Sequence, residues 1–522
     1  MGALSGSMRP EHPRSRPLAA LVTDLGFVSS DDLDGIDVSG ITMATAQVQP
    51  GDIFVGLPGA KSHGAKFAAQ AAAAGAVAVV TDEDGALLAA EAGLPILLTP
   101  HPRAAMGALA SWVYQTEDLS ATTFGVTVTN GKTSVVYLLT AILGQLGVKS
   151  GLSSTAERRI GDVTTISGLT TPESTELHAL LARMSEASVR AIALEVSAQA
   201  LSRHRVDGVH FDVVGFTNLS HDHFDDYLSY EDYFHAKAQL FDPERASRGV
   251  VIVDDAWGQR LAEESRIPVT TIATDAGGAD QDANWHSHIV EESNRHTRFI
   301  LTGPDGRQLE TSVPLLGRFM VANAALAIVM LVESGYDLDM IAQALERDGG
   351  IQVYIPGRSE IVSGAEGPVF YVDYGHTPDA FRGLLDSIRP VCSGRVFFVF
   401  GADGDRDKSK RAEMGAIAAR GADVVIITDF HPRTEDPAVI RQALLDGARG
   451  AGTNAEIIEV ADPTAAVRLA LQMADESDAI IYAGPGHENY REVNGVHLDY
   501  DARDDVKMAL REAGWPARGD AS

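Results

Sequence analysis

Residues 125–134 read Gly-Val-Thr-Val-Thr-Asn-Gly-Lys-Thr-Ser. Between a strand and a helix, such a turn aims backbone N–H groups and a helix N-terminus at phosphate oxygens. Lys132 can neutralise terminal phosphates, and the Thr133 hydroxyl can reach a magnesium ion. Thr129, Asn130, Gly131 and Ser134 complete the set, in a shorter form than the general GxxxxGK[ST] pattern. A second group is Leu194-Glu195-Val196-Ser197, followed later by Thr217-Asn218-Leu219-Ser220-His221-Asp222-His223. A carboxylate and an imidazole at the ends of adjacent strands suit a hard divalent metal held against a nucleotide and an acyl group. Alone, an Asp-His pair after a strand is more often structural. The phosphate turn in the same region favours the metal.

The elements that must position these groups follow from the pattern of apolar runs. Residues 1–118 hold short strands and an Ala-rich helical segment, Phe67 to Ala74, which Gly75 ends before the apolar strand 76–80. From Thr122 the chain alternates apolar strands (124–127, 191–194, 213–216) with helical stretches, so residues 119–352 form a central unit with a mostly parallel sheet. A helix of Ala, Leu and Val begins near Leu316-Gly317-Arg318. Residues 353–522 carry buried strands at 369–372, 396–400, 424–427 and 479–483 and read as a second doubly wound unit, with a frayed tail from Arg518. The fold expected is α/β in three domains: a small N-terminal one, a central P-loop ATPase-like parallel sheet, and a C-terminal Rossmann-like doubly wound domain. Ligands in such sheets bind at the carboxyl ends of strands, where both groups fall.

Composition narrows the partners. The 522 residues carry 42 Lys and Arg against 72 Asp and Glu, a formal charge of −30. Nucleic acid and anionic membranes are disfavoured, although a local cationic cluster can still hold an anionic substrate. One cysteine, Cys392, rules out an intrachain disulfide and a multi-cysteine metal site. No apolar run follows Arg9, Arg14 and Arg16, and no stretch approaches the ~20 apolar residues of a membrane span, so the expected setting is the cytoplasm.

Taken with further motifs, the chain resembles the Mur ligases, in the branch (MurE type) that adds the third residue of the peptidoglycan stem peptide. The motifs are Thr170-Thr171-Pro172-Glu173, Asp232-Tyr233-Phe234-His235-Ala236-Lys237, Gly357-Arg358-Ser359-Glu360, Asp373-Tyr374-Gly375-His376-Thr377-Pro378 and Gly404-Asp405-Arg406-Asp407. The likeness runs from Gly51 to Glu488. It implies that ATP phosphorylates a carboxylate of UDP-N-acetylmuramoyl-L-Ala-D-Glu and that the amine of a free amino acid attacks the acyl phosphate. It also implies that Thr133, Glu195, His223 and a carbamylated Lys237 hold magnesium, two ions in all. Asn323 would contact adenine, Asp373 the ribose and Arg358 the γ-phosphate. Thr45, Thr170, Thr171, Ser197, Arg203 and Arg205 would hold the UDP-linked muramoyl-dipeptide. Arg406, His431, Arg433, Gly484 and Glu488 would hold the amino acid. A monomer is implied as well.

Several positions depart from the family pattern. Val128 stands where the phosphate turn usually has a first Gly, and a β-branched residue is costly there if φ must be positive. Met320 replaces an Asn near adenine, Ala198-Gln199 replaces Ser-His, and Ala44-Thr45-Ala46 replaces Asp-Ser-Arg near the uridine. The diaminopimelate-type Asp-Asn-Pro-Arg becomes Phe430-His431-Pro432-Arg433, and Pro485 replaces a Lys. Such exchanges shift acceptor choice among diaminopimelate, lysine, ornithine and diaminobutyrate. Two alternatives remain: a specialised-metabolism paralogue that joins an amino acid to another carboxylate, and a catalytically weak precursor-binding homologue.

Overall fold

The computed structural model describes residues 8–220, 226–277 and 282–520. Among the described residues, three parallel-rich sheets form the body of the architecture, with two small two-stranded sheets beside them. The first has four parallel strands, Gly40–Thr42, Asp52–Val55, Ala78–Thr81 and Ile96–Leu98, in chain order. The Ala-rich segment beside it is a short 3-10 turn, Gly64–Phe67, running into the helix Ala68–Ala73.

The central sheet has eleven strands. Thr122–Val126 lies in its middle, paired in parallel with Ala191–Glu195 on one side and Phe211–Phe216 on the other. The phosphate turn and Glu195 thus leave the sheet side by side. Sequence patterning missed both edges of this sheet. A hairpin of Glu157–Ile160 and Val163–Ile166 closes one side, and an antiparallel ribbon, Trp285–Glu292, Thr297–Thr302 and Gln308–Val313, closes the other. The helix Arg318–Glu333 packs against this sheet and is apolar nearly all round, as a helix buried on every face must be. Asn323 is a polar exception within it, 3% exposed.

The third sheet orders its strands Glu360–Ile361, Val369–Asp373, Ala479–Ala483, Val396–Phe400, Val424–Ile427 and Glu456–Glu459. Val-Phe-Phe-Val-Phe at 396–400 is wholly buried, because helices cover both faces of a parallel sheet. The tail expected to fray is anchored as far as Asp520. The Arg518 N–H donates to Val362 O (2.7 Å), Ala517 bridges to Ser363, and Arg511 pairs with Asp520. The ribbon ties the two larger units together: the Tyr371 hydroxyl donates to Asn294 O (2.6 Å), and Arg295 donates to Gly364 O.

One buried histidine staples the N-terminal and central units. His178, on the helix Ser174–Glu186, is 0% exposed. Its Nε2–H donates to Asp207 O (3.0 Å), and its Nδ1 accepts from the Thr116 hydroxyl (2.6 Å). Burial holds its pKa down at about 4. An unfolded chain takes up that proton first, so stability is complete above about pH 6.5 and falls as pH drops towards 4. From pH 7 to pH 5 this residue should remove about 2 kcal/mol. His178→Gln should flatten that part of a denaturant-midpoint against pH profile; an unchanged slope would refute the assignment.

Candidate active site

The turn between Thr122–Val126 and the helix Lys132–Gln145 has one positive-φ residue, Gly131 (φ 110°), which caps the helix. A Cβ there would also lie 2.6 Å from Asn323 Oδ1, so glycine is required twice over. Val128 is not strained. Its φ is not positive and its side chain is buried in the central core, so the cost expected of a β-branched residue does not arise. Its carbonyl is the notable atom: both Lys132 Nζ (2.7 Å) and Lys237 Nζ (3.0 Å) donate to it. Lys132 also bonds Thr129 O (3.0 Å) and so curls back over its own turn.

The turn is held from the neighbouring strand end. The Asn130 N–H donates to Asn218 Oδ1 (3.1 Å), and Asn218 Nδ2 donates back to Asn130 O (2.8 Å). The Thr129 N–H reaches Asn218 O (3.1 Å), and Thr129 Oγ1 accepts from the Ser220 N–H (3.0 Å). Asn218 was not picked out for this role by its sequence, since its partner lies 88 residues away.

Glu195 is 1% exposed, with its carboxylate aimed at Thr155. The Thr155 N–H donates to Oε1 (2.8 Å) and the Thr155 hydroxyl to Oε2 (3.0 Å). Thr155 is a second missed residue, although the polar run Ser153-Ser154-Thr155 at a strand end was a usable signal. Lys237 lies on the helix Tyr230–Ala238, is 1% exposed, and sits 4.5 Å from the Tyr233 ring centre. His223 lies outside the described residues. Among the described residues no three His, Cys, Asp or Glu side chains converge as a metal site.

A cleft of about 1260 Å³ connects these groups to the third sheet. Thr129 to Ser134, Thr170, Glu195, Ser197, Arg203, Arg205, Lys237, Asn323, Arg358, Asp373, Arg406 and Arg433 all line it. Arg358 crosses from the third unit to the helix N-terminus: Nη2 donates to Thr133 Oγ1 (3.3 Å), and the guanidinium stacks 4.3 Å from the Tyr374 ring centre. Asp373 is engaged locally, accepting from the Ser359 N–H and the Gly375 N–H at 2.6 Å each. Arg205 pairs with Glu173 (3.0 Å) and Arg203 with Asp226 (3.0 Å).

The structure does not place the remaining residues in this cleft. Thr171 is buried, donating to Glu195 O (2.8 Å) and accepting from the Ser197 N–H (3.0 Å), so it braces the strand end. Thr45 sits apart in the N-terminal unit, at the start of the 3-10 turn Thr45–Gln47. Gly484 follows the strand Ala479–Ala483 beside Phe430. His431 and Glu488 line a small adjoining cavity of about 50 Å³ that shares Tyr374, His376, Asp403 and Arg433 with the cleft.

Residues 37–114 match the Mur ligase family catalytic domain, 126–331 the Mur ligase middle domain, and 357–486 the Mur ligase glutamate ligase domain. A UDP-N-acetylmuramyl-tripeptide synthetase of Leifsonia xyli is 64% identical over 514 residues, covering 98% of this chain and 99% of its own length. A UDP-N-acetylmuramoyl-L-alanyl-D-glutamate–2,6-diaminopimelate ligase of Streptomyces coelicolor is 41% identical over 511 residues, covering 97% and 99%. The solved structure of another such diaminopimelate ligase superposes with a TM-score of 0.65 at 27% identity, covering 94% of this chain and 99% of that one.

Proposed function

The chain belongs to the Mur ligase family, and from that premise we propose that it joins a diamino acid to UDP-N-acetylmuramoyl-L-Ala-D-Glu in peptidoglycan synthesis. As a family member it is an ATP-dependent ligase that forms a peptide bond. The observation that carries the reading is the meeting of Lys132, Lys237 and Arg358 around one phosphate turn that also adjoins Glu195.

The γ-phosphoryl group passes from ATP to the terminal carboxylate of the dipeptide, giving an acyl phosphate and ADP. The amine of the incoming amino acid forms the C–N bond and loses a proton, and inorganic phosphate leaves. Bringing phosphate and carboxylate together concentrates negative charge, which Lys132 and Arg358 offset. We assign Asn323, which lies against Gly131, to the adenine and Asp373, in the same cleft, to the ribose. Thr170, Ser197, Arg203 and Arg205 line the side assigned to the muramoyl-dipeptide, and Thr171 braces the wall; Thr45, which lies apart in the N-terminal unit, is assigned to the nucleotide of that substrate. Arg406, Arg433, Gly484, His431 and Glu488 are assigned to the amino acid.

The donor set fits magnesium: the Thr133 hydroxyl and the Glu195 carboxylate are hard oxygen ligands, and His223 and a carbamylated Lys237 would join them. When bound, the metal screens the charge between phosphate and carboxylate. Two ammonium groups donating to the one carbonyl of Val128 repel each other in a buried site. Carbamylation relieves this. Nζ bonds to the carbon of CO2, two protons leave, and a cation becomes an anion that keeps one N–H for Val128. No helix among the described residues is long and apolar enough to cross a membrane, and we place the reaction in the cytoplasm with a monomeric enzyme.

The test is mass spectrometry of the UDP-linked product after incubation with ATP, magnesium, bicarbonate and a mixture of diamino acids. A gain of one aminoacyl residue with stoichiometric ADP is expected. ADP released without any dependence on the muramoyl-dipeptide would point to a different acyl substrate and overturn the reading.

A further inference from the structure

The cavity of about 50 Å³ beside the main cleft has a charge pattern that selects among diamino acids. Asp403, Glu488 and Glu492 line it, against the single guanidinium of Arg433. His431 adds no positive charge. The Glu492 N–H donates to its Nδ1 (2.8 Å), which therefore carries no proton; Nε2 carries one and donates it to Glu488 (2.7 Å). With both ring nitrogens engaged and the ring 4% exposed, His431 forms a wall of the cavity and offers it no further donor.

Arg433 is flanked by two protein carboxylates, and its buried Nε makes no hydrogen bond to either. Its Nη2 stands 3.7 Å from Asp403 and its Nε 3.8 Å from Glu492. Its backbone takes φ 52° to bond Glu492 O (3.1 Å) and the Asn494 N–H (2.6 Å), so it clamps the strand Tyr490–Val493 into place. Buried Asp403 Oδ1 lacks a hydrogen-bond partner, a position that calls for a donor. Phe430 and Pro485 contribute no cation at positions where the resemblance led us to expect polar or basic residues.

Resting on the ligase reading above, we infer that the acceptor is a diamino acid with one carboxylate, whose distal ammonium enters this cavity between Asp403, Glu488 and Glu492. Its α-carboxylate lies in the main cleft on the side of Arg406. The cavity holds roughly three to five water-sized groups, enough for an aminoalkyl end. A distal carboxylate there would face three others with one shared guanidinium, and a buried site rejects a ligand that leaves such charge unpaired.

The test compares kcat/KM for diaminobutyrate, ornithine, lysine and meso-diaminopimelate, using the full chain with ATP, magnesium, bicarbonate and the muramoyl-dipeptide. One of the three monocarboxylates should exceed meso-diaminopimelate by about 100-fold or more. Glu488→Gln, which still accepts from His431, should raise the KM for that acceptor about 10-fold or more while the KM for ATP stays within about twofold. Turnover led by meso-diaminopimelate overturns the inference and leaves the ligase standing. Nucleotide binding without turnover of any acceptor overturns both.

Discussion

Lys237→Ala should lower kcat by about 1000-fold or more, with part of the rate returning when a short carboxylic acid such as formate is added. The expectation rests on position. Lys237 is 1% exposed beneath the phosphate turn, shares the Val128 carbonyl with Lys132, and lies over the Tyr233 ring. A lysine that were only a core residue would give a destabilised protein with no response to added carboxylate. A carbamate would leave a gap that a small carboxylate fills, and wild-type activity would fall when CO2 and bicarbonate are stripped from the buffer. The melting temperature of the variant separates loss of fold from loss of chemistry. Retention of a tenth of the activity, or indifference of the wild type to CO2, would refute the carbamate.

Arg358→Ala should cost about 100- to 1000-fold in kcat and also weaken ATP binding. This side chain spans the cleft from the third unit to Thr133 while stacked on Tyr374. One guanidinium thus joins the two walls of the cleft, and under the proposed reaction it would offset charge at the transferred phosphoryl group. Arg358→Lys should recover little, because an ammonium cannot both stack on the ring and present parallel donors. Steady-state kinetics with ATP varied would show the kcat loss; a change confined to KM would restrict Arg358 to ground-state binding.

Much of this was legible before the fold was seen. Fully buried strands such as Val396–Phe400 announce themselves as unbroken apolar runs, and the Gly-Lys turn is local in sequence. The antiparallel ribbon was not legible, because its alternating residues mimic surface loops: Gln308–Val313 buries only every second side chain. Nor could sequence reveal that Thr171 braces a strand end or that Asn218 grips Asn130, since both depend on side chains brought together from distant segments. The cost expected of Val128 does not arise because the short turn puts its one left-handed residue at Gly131, three positions later. At Phe430-His431 the sequence announced a changed pocket but not its sign, which depends on the proton that the Glu492 N–H excludes from Nδ1.

The two-way grip of Asn218 on Asn130 also bears on the entropy of nucleotide capture. A loop that must freeze around a phosphate loses roughly 1–2 kcal/mol per ordered residue, which is subtracted from its affinity. Here the backbone around Asn130 is already fixed by its neighbour, so a triphosphate bound there would meet a rigid cradle. Under the proposed role of Lys132, ordering would be left to its ammonium, which would exchange the Val128 and Thr129 carbonyls for phosphate oxygens. That is a swing of one side chain, fast compared with turnover.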